Sequence, residues 1–198
     1  MVMDGNSQLK IDAPYVTAEG LYFRRGTKVG GTVIAFNSNN GIVRNSAVID
    51  DNPLNLETKG CFVFFAGDNN LVDRCYFKGK SNDNPTVGNG REGSRHNSVT
   101  TSYFKDIPYD PQNGREDFRI WGFELMTGHG DDGAFFTIEG NLFDHADGEG
   151  GVVNFAPAKS GFTVKQLPLG WTEAQEVAKY KPLTPSDVGP DWVRNKGL

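Results

Sequence analysis

The stretch Val72-Asp-Arg-Cys-Tyr-Phe77 has four counterparts in the chain: Ala18-Glu-Gly-Leu-Tyr-Phe23, Val43-Arg-Asn-Ser-Ala-Val48, Val99-Thr-Thr-Ser-Tyr-Phe104 and Ile138-Glu-Gly-Asn-Leu-Phe143. Their closing apolar residues are 25, 29, 27 and 39 positions apart. A second series of short apolar segments runs between them: Thr32 to Phe36, Cys61 to Phe65, Pro85 to Val87, Phe118 to Trp121 and Val152 to Phe155. Clusters such as Asn37-Ser-Asn-Asn-Gly41 and Gly67-Asp-Asn-Asn70 mark the turns between the two series. A unit near 27 residues with two or three short strands and almost no helical period predicts stacked coils. Each coil cannot bury its apolar face alone, so neighbours share a core. The expected fold is all-β: a right-handed parallel β-helix, or solenoid, of about five coils. A leucine-rich repeat would need a leucine pattern that is missing, and a β-sandwich would need stricter in-and-out alternation.

Outward from the repeats, the long gap before Phe143 predicts an insertion between Pro108 and Gly133, projecting from one face. Insertions in solenoids tend to mark the binding side. Beyond Lys165 the texture changes. Trp171 to Tyr180 reads as one short helix opened by Thr172, and Lys181 to Leu198 as an extended strap anchored by Trp192. The whole is read as a single domain, 1–198, with coils over 1–165 and the helix and strap over 166–198. The first strand begins almost at Met1 without a capping helix. Open solenoid ends invite edge pairing, so a trimmed chain or a homo-oligomer through the uncapped N-terminal coil is expected.

Composition narrows the function. The 198 residues include 14 Phe, 6 Tyr and 3 Trp, ample surface to bury, so disorder is excluded. Mean hydropathy is −0.48, and no apolar run reaches the ~18 residues that a bilayer requires; no membrane contact is expected. Net charge is −5, which gives no support to nucleic-acid binding. A local excess of positive charge, from Lys78, Lys80, Arg91, Arg95, Arg115, Arg119, Lys159 and Lys165, still suits an anionic ligand. Cys61 and Cys75 sit in apolar segments and read as buried free thiols. The first residues lack a charged region followed by an apolar stretch, so no signal peptide is read in this chain.

The segment from Tyr15 to Gly161 resembles polysaccharide lyase family 6, the chondroitinase B and alginate lyase β-helices. The likeness rests on ordered motifs: Tyr15-Val-Thr-Ala-Glu-Gly-Leu-Tyr-Phe23, Asn45-Ser-Ala-Val-Ile-Asp-Asp51, Val72-Asp-Arg-Cys-Tyr-Phe-Lys-Gly-Lys80, Asn113-Gly-Arg-Glu-Asp-Phe-Arg-Ile120, Asn141-Leu-Phe-Asp144, Asp147-Gly-Glu149 and Lys159-Ser-Gly161. It implies β-elimination at a uronate of an acidic polysaccharide, alginate first and a glycosaminoglycan second, by a secreted or periplasmic lyase.

By that resemblance Lys159 matches the catalytic base, and Arg119 an arginine that lies across the site near the substrate. Arg115, Arg91 and Arg95 add positive charge for substrate carboxylates. Asn113 and Glu149 match two ligands of a Ca²⁺ site, both hard oxygen donors. Three departures accompany the match. Gly151 stands where the family has a second Glu. Three extra residues separate Glu149 from Lys159, within a segment that includes Pro157. No arginine follows Lys159 until Arg194, whereas the family's catalytic acid is an arginine about one coil beyond the lysine.

His96, His129 and His145 are too scattered for a metal site, and Asp131-Asp132 reads as a solvated turn. No phosphate-cradling glycine loop, nucleophile elbow or zinc spacing is present. Two functions remain: a lyase, or a shortened lyase-like solenoid that binds acidic polysaccharide without cleaving it, the fragment of a longer enzyme included.

Overall fold

The computed structural model describes residues 1–27, 30–90, 94–107, 117–120, 137–139, 141–144, 153–154, 163–165 and 189–190. Strands of two or three residues recur three to a coil. The first two coils comprise β1 (Val2–Asp4), β2 (Leu9–Ile11), β3 (Thr17–Glu19), β4 (Tyr22–Arg24), β5 (Ile34–Phe36) and β6 (Ile42–Arg44). The next two comprise β7 (Ala47–Ile49), β8 (Val63–Phe65), β9 (Leu71–Asp73), β10 (Tyr76–Lys78), β11 (Val87–Asn89) and β12 (Ser98–Thr100). The last two comprise β13 (Tyr103–Lys105), β14 (Phe118–Ile120), β15 (Thr137–Glu139), β16 (Leu142–Asp144), β17 (Val153–Asn154) and β18 (Thr163–Lys165). Every third strand stacks into one of three six-stranded sheets: β1-β4-β7-β10-β13-β16 (sheet 1), β2-β5-β8-β11-β14-β17 (sheet 2) and β3-β6-β9-β12-β15-β18 (sheet 3). The pairs in sheet 1 run parallel in continuous register, Val2↔Tyr22↔Ala47↔Tyr76↔Tyr103↔Leu142. The expected solenoid is the structure, and a sandwich, which pairs antiparallel strands, is excluded.

Period-2 alternation fills the interior. The middle residues of β4, β7, β10 and β13 point inward, as Phe23, Val48, Phe77 and Phe104, all fully buried. Sheet 2 points its first and third residues inward, among them Ile34, Phe36, Val63, Phe65, Val87 and Phe118. Aligned aromatics stack from coil to coil: Phe36 on Phe65 with centroids 4.9 Å apart, and Phe77 on Phe104 at 5.1 Å. Each buried Phe contributes on the order of 2 kcal/mol. Cys61 and Cys75 are free and buried, as the sequence predicts.

Each recurring hexapeptide turns out to be two strands, one in sheet 3 and one in sheet 1, broken by a two-residue bend. The first bend residue takes a left-handed conformation: Gly20, Asn45, Arg74 and Thr101 have φ of 71°, 47°, 51° and 49°. The second builds a ladder. Ser46 Oγ accepts from the Leu21 amide at 3.2 Å, Ser102 Oγ from the Cys75 amide at 3.0 Å, and Asn141 Oδ1 from the Ser102 amide at 2.7 Å. Cys75 occupies the same rung. Its thiol donates to the Asp73 carbonyl, as the Ser46 hydroxyl donates to Arg44 and the Ser102 hydroxyl to Thr100. Complete burial pushes its pKa up to about 12, so the thiol is neutral and inert.

The segment expected as Pro85 to Val87 forms its strand two residues later. The Thr86 carbonyl accepts from both the Phe62 and Val63 amides, each at 2.9 Å, so regular pairing begins only at Val87. The expected helix over 171–180 lies outside the described residues. Of the strap, Gly189 and Pro190 are described. Both are buried, and the Gly189 amide donates to the Arg74 carbonyl at 3.0 Å beside Ser46, Ala47 and Tyr76. That contact lies on the outer side of sheet 1, where Tyr22, Ala47, Tyr76 and Tyr103 form a second apolar cluster.

Candidate functional site

The connections between strands differ sharply in length around the coil. From sheet 3 to sheet 1 they are always two residues: 20–21, 45–46, 74–75, 101–102 and 140–141. From sheet 2 to sheet 3 they hold five residues (12–16, 37–41, 66–70), then eight (90–97), sixteen (121–136) and eight again (155–162). From sheet 1 to sheet 2 they range from four (5–8) to thirteen (50–62), with twelve at 106–117. All the variation therefore lies along the two borders of sheet 2. The insertion expected as one block is divided by β14 into 106–117 and 121–136, one on each border.

Sheet 2 presents the middle residues of its first strands, Lys10, Ala35 and Phe64, outward, and Gly88, Arg119 and Asn154 continue the same register position. Arg119 thus holds the middle position of β14, between the two long connections. The sequence positions singled out above belong to connections of β14 and of its neighbour β17. Asn113 and Arg115 belong to the connection that enters β14, Glu149 to the one that enters β17, and Lys159 to the one that leaves β17. Asn113, Arg115, Glu149 and Lys159 themselves lie outside the described residues, as do Arg91 and Gly151. Arg95, half-buried, stands on the border between sheets 2 and 3. Its amide donates to Asp68 Oδ1 at 2.8 Å, and its carbonyl accepts from the Asn69 amide at 2.8 Å.

The basic residues counted from the sequence do not form one strip. Lys78 is on sheet 1, in register with Lys105, and Lys165 is on sheet 3. Lys80 is interior, 2% exposed. Its ammonium donates to the carbonyls of Asn82, Asp83 and Asn84 at 2.7, 3.3 and 2.6 Å. A lysine is rarely buried unless its charge is met; here a turn of backbone carbonyls meets it. Nothing in the sequence signals this, because the carbonyls converge only after the turn has formed.

Lys80 stiffens one border of sheet 2. Asn52 spans to the next coil, donating to the Gly79 carbonyl at 2.6 Å and accepting from the Ser81 amide at 3.0 Å. The Asp83 amide donates to the Leu56 carbonyl at 2.8 Å, and Asn82 Nδ2 to the Thr58 carbonyl at 2.9 Å. The connection 50–62 is thereby tied to 79–86 at both ends, while Leu54 at its tip is 88% exposed. Gly60 allows the close approach: a Cβ there would stand 2.3 Å from the Gly31 carbonyl oxygen.

The other border is held by buried asparagines. Asn70 Oδ1 accepts from the Gly41 amide at 2.7 Å, and Asn97 Oδ1 from the Asn70 amide at 2.8 Å. Asn97 Nδ2 donates to the Gly67 carbonyl and to Asn89 Oδ1, and Asn89 Nδ2 to the Ser94 carbonyl. Asn89 continues the inward column Ile11, Phe36, Phe65, so the aromatic stack gives way to a polar network in the coil where this border begins to lengthen. Among the described residues both borders are hydrogen-bonded from coil to coil, and sheet 2 lies between them. Among the described residues no cluster of His, Cys, Asp and Glu is arranged to hold a metal ion.

Residues 1–165 match the sequence profile of the Chondroitinase B family. Among solved structures, the chain is similar to a PL6 family polysaccharide lyase from Pseudopedobacter saltans, with 46% sequence identity and a TM-score of 0.68. The alignment covers 83% of this chain and 36% of that one, so the chain spans well under half of that lyase's length. No curated protein matches.

Proposed function

The chain belongs to the Chondroitinase B family, and from that membership we propose that it acts as a polysaccharide lyase on a uronate-containing polysaccharide lying along sheet 2. The observation that carries the reading is the confinement of every variable connection to the two borders of that sheet, with Arg119 on the floor between the longest pair. Alginate is the first substrate, and a dermatan-type glycosaminoglycan the second. An extracellular or periplasmic setting follows from such a polymer.

The reaction sets three tasks. Neutral Lys159 takes the C5 proton, which requires its pKa to be lowered by desolvation or by neighbouring cations. Arg119 grips the C6 carboxylate, which acidifies that proton and stabilises the enolate-like intermediate; a guanidinium does so through two parallel N–H donors. Arg115, Arg91 and Arg95 hold carboxylates of flanking residues. As the C4=C5 double bond forms, the C4–O4 bond breaks and O4 takes a proton. A tyrosine, His145 or a lysine is left for that last task, since no arginine stands one coil past Lys159.

A bound Ca²⁺ would supply further charge at the carboxylate. Asn113 and Glu149 offer two oxygen ligands where Ca²⁺ takes about six to eight, and Gly151 offers no side-chain oxygen. That donor set does not fit the ion well, so the charge-neutralising task is assigned to the arginines.

A second reading is favoured by the same departures: a solenoid that binds the polymer without cleaving it. The deciding experiment incubates the protein with alginate, polymannuronate and dermatan sulfate, with Ca²⁺ and with chelator, and follows the ultraviolet absorbance of the unsaturated uronate. Product growth that Lys159→Ala abolishes supports the lyase. Calorimetric binding without product supports the binding solenoid.

A further inference from the structure

We propose that Asn40–Gly41 is a latent deamidation site and that Asn70, on the next coil, is the side chain that keeps it closed. The inference stands apart from the substrate reading. In four coils the chain enters sheet 3 through a left-handed residue, Tyr15, Asn40, Asn69 or His96, with φ of 62°, 60°, 57° and 57°. Asparagine tolerates that conformation better than most residues. The residues that follow are Val16, Gly41, Asn70 and Asn97, so asparagine precedes glycine in the second coil alone of these four. Gly41 is buried, and a Cβ on it would stand 2.9 Å from Phe36 Cδ1. Close packing thus places glycine after a left-handed asparagine. With no side chain on Gly41 to shield it, the backbone nitrogen between them is open to attack the asparagine carboxamide.

The chemistry needs only water. The Gly41 nitrogen gives up its proton and bonds to Asn40 Cγ, the Cγ–Nδ2 bond breaks, and ammonia leaves a cyclic imide behind. Water then opens the ring at the side-chain carbonyl to give aspartate, or at the backbone carbonyl to give isoaspartate, which adds a methylene to the main chain. In the folded coil each group that must move is held. The Gly41 amide donates to Asn70 Oδ1 at 2.7 Å, the Gly41 carbonyl accepts from the Leu71 amide at 2.9 Å, and the Asn40 amide donates to the Asp68 carbonyl at 2.9 Å. A carboxamide oxygen at that distance opposes loss of the N–H proton and fixes the direction of the nitrogen. Asn70 is 1% exposed, and among the described residues its Nδ2 has no hydrogen-bond partner. Burying a carboxamide costs free energy, so the bond to Gly41 is the one this side chain is placed to make. The Asn70 amide is held in turn by Asn97 Oδ1 at 2.8 Å, which closes Asn69–Asn70 in the same way.

The test incubates the full chain in mildly alkaline buffer at physiological temperature and follows conversion of Asn40 by peptide mapping, with fragmentation that separates aspartate from isoaspartate. The unaltered protein, Asn70→Ala, Asn70→Asp and Ser102→Ala are compared, with the urea-unfolded chain as the reference for an open site. Asn40 converts slowly in the unaltered protein and about tenfold faster in Asn70→Ala, which removes the acceptor. Asn70→Asp keeps an acceptor oxygen and loses no bonded donor, so its rate stays within about threefold of the parent. Ser102→Ala, weakened at the opposite corner, leaves the rate unchanged. Conversion of the unaltered protein at the unfolded rate overturns the proposal, as does an unchanged rate in Asn70→Ala. Equal acceleration in Asn70→Asp or Ser102→Ala assigns the effect to general loss of stability and likewise overturns it. Should Asn70→Ala not fold, the unaltered chain decides in sub-denaturing urea: conversion that rises with exchange of the Gly41 amide supports the guard, and conversion that rises only with global unfolding overturns it.

Discussion

The corner from sheet 3 to sheet 1 and the borders of sheet 2 belong to the same coils and obey different rules. The corner keeps two residues per coil, with a left-handed residue at 20, 45, 74 and 101 and a hydrogen-bonding side chain at 46, 75, 102 and 141. The borders change length from coil to coil and, among the described residues, are braced through Lys80 on one side and Asn70, Asn89 and Asn97 on the other. A solenoid needs one fixed seam to hold coil-to-coil register. Once that exists, the opposite face is released to carry walls of any length.

Insertion should separate the two most strongly. Two residues added between Thr101 and Ser102 displace Ser102 from both Cys75 and Asn141, and are expected to prevent cooperative folding. The same pair added after Leu54, at an exposed tip, should shift the thermal midpoint by no more than about 3 °C; differential calorimetry of both variants tests this. Next in size is Asn97→Ala. It removes partners from the Asn70 amide, the Gly67 carbonyl and Asn89 together, a loss of roughly 3 kcal/mol in urea unfolding. A value below that for a single surface contact would place the rigidity of that border elsewhere.

At the seam the single-rung effects are smaller. Ser102→Ala deprives the Cys75 amide of its acceptor and should cost about 1.5 kcal/mol, whereas Cys75→Ser, which makes the rungs uniform, should stay within ~1 kcal/mol of the parent. Thr101→Gly relieves a β-branched residue at φ 49° and should gain roughly 0.5 kcal/mol, read from the same urea curves. The smallest effect concerns the charges on sheet 3. Glu19 accepts from Asn45 and Arg44, at 2.7 and 3.0 Å, and these bonds lower its pKa from the ordinary 4.5. Its contribution is present above that value and is lost as pH falls through the lower folded value. Glu19→Gln should therefore remove that contribution near neutrality and flatten the acid limb below pH 4.5, where the difference from the parent fades.

The inward column Phe23, Val48, Phe77, Phe104 was legible in the sequence, because parallel coils repeat it at a near-constant period. The bends were not. Gly20 and Asn45 advertise a left-handed residue, but Arg74 and Thr101 occupy the same conformation under the hold of neighbouring coils. Lys80 read as one more surface cation, since its role depends on carbonyls assembled by the turn. At the candidate site, the resemblance located Arg119, and the register then placed it on the floor of sheet 2. Lys159, Arg115, Arg91, Asn113 and Glu149 stand as sequence assignments.

The bond from the Gly189 amide to the Arg74 carbonyl has a meaning for the order of folding. Pairings between successive coils join residues tens of positions apart, whereas this one joins residues 74 and 189, and the entropy of closing a loop grows with its length. Its acceptor, moreover, is a bend that exists only when two coils have already met. The strap is thus a late contact: in pulse-labelling exchange the Gly189 amide should gain protection after that of Tyr76. A ribosome that has made the first five coils has made everything this contact requires except its donor.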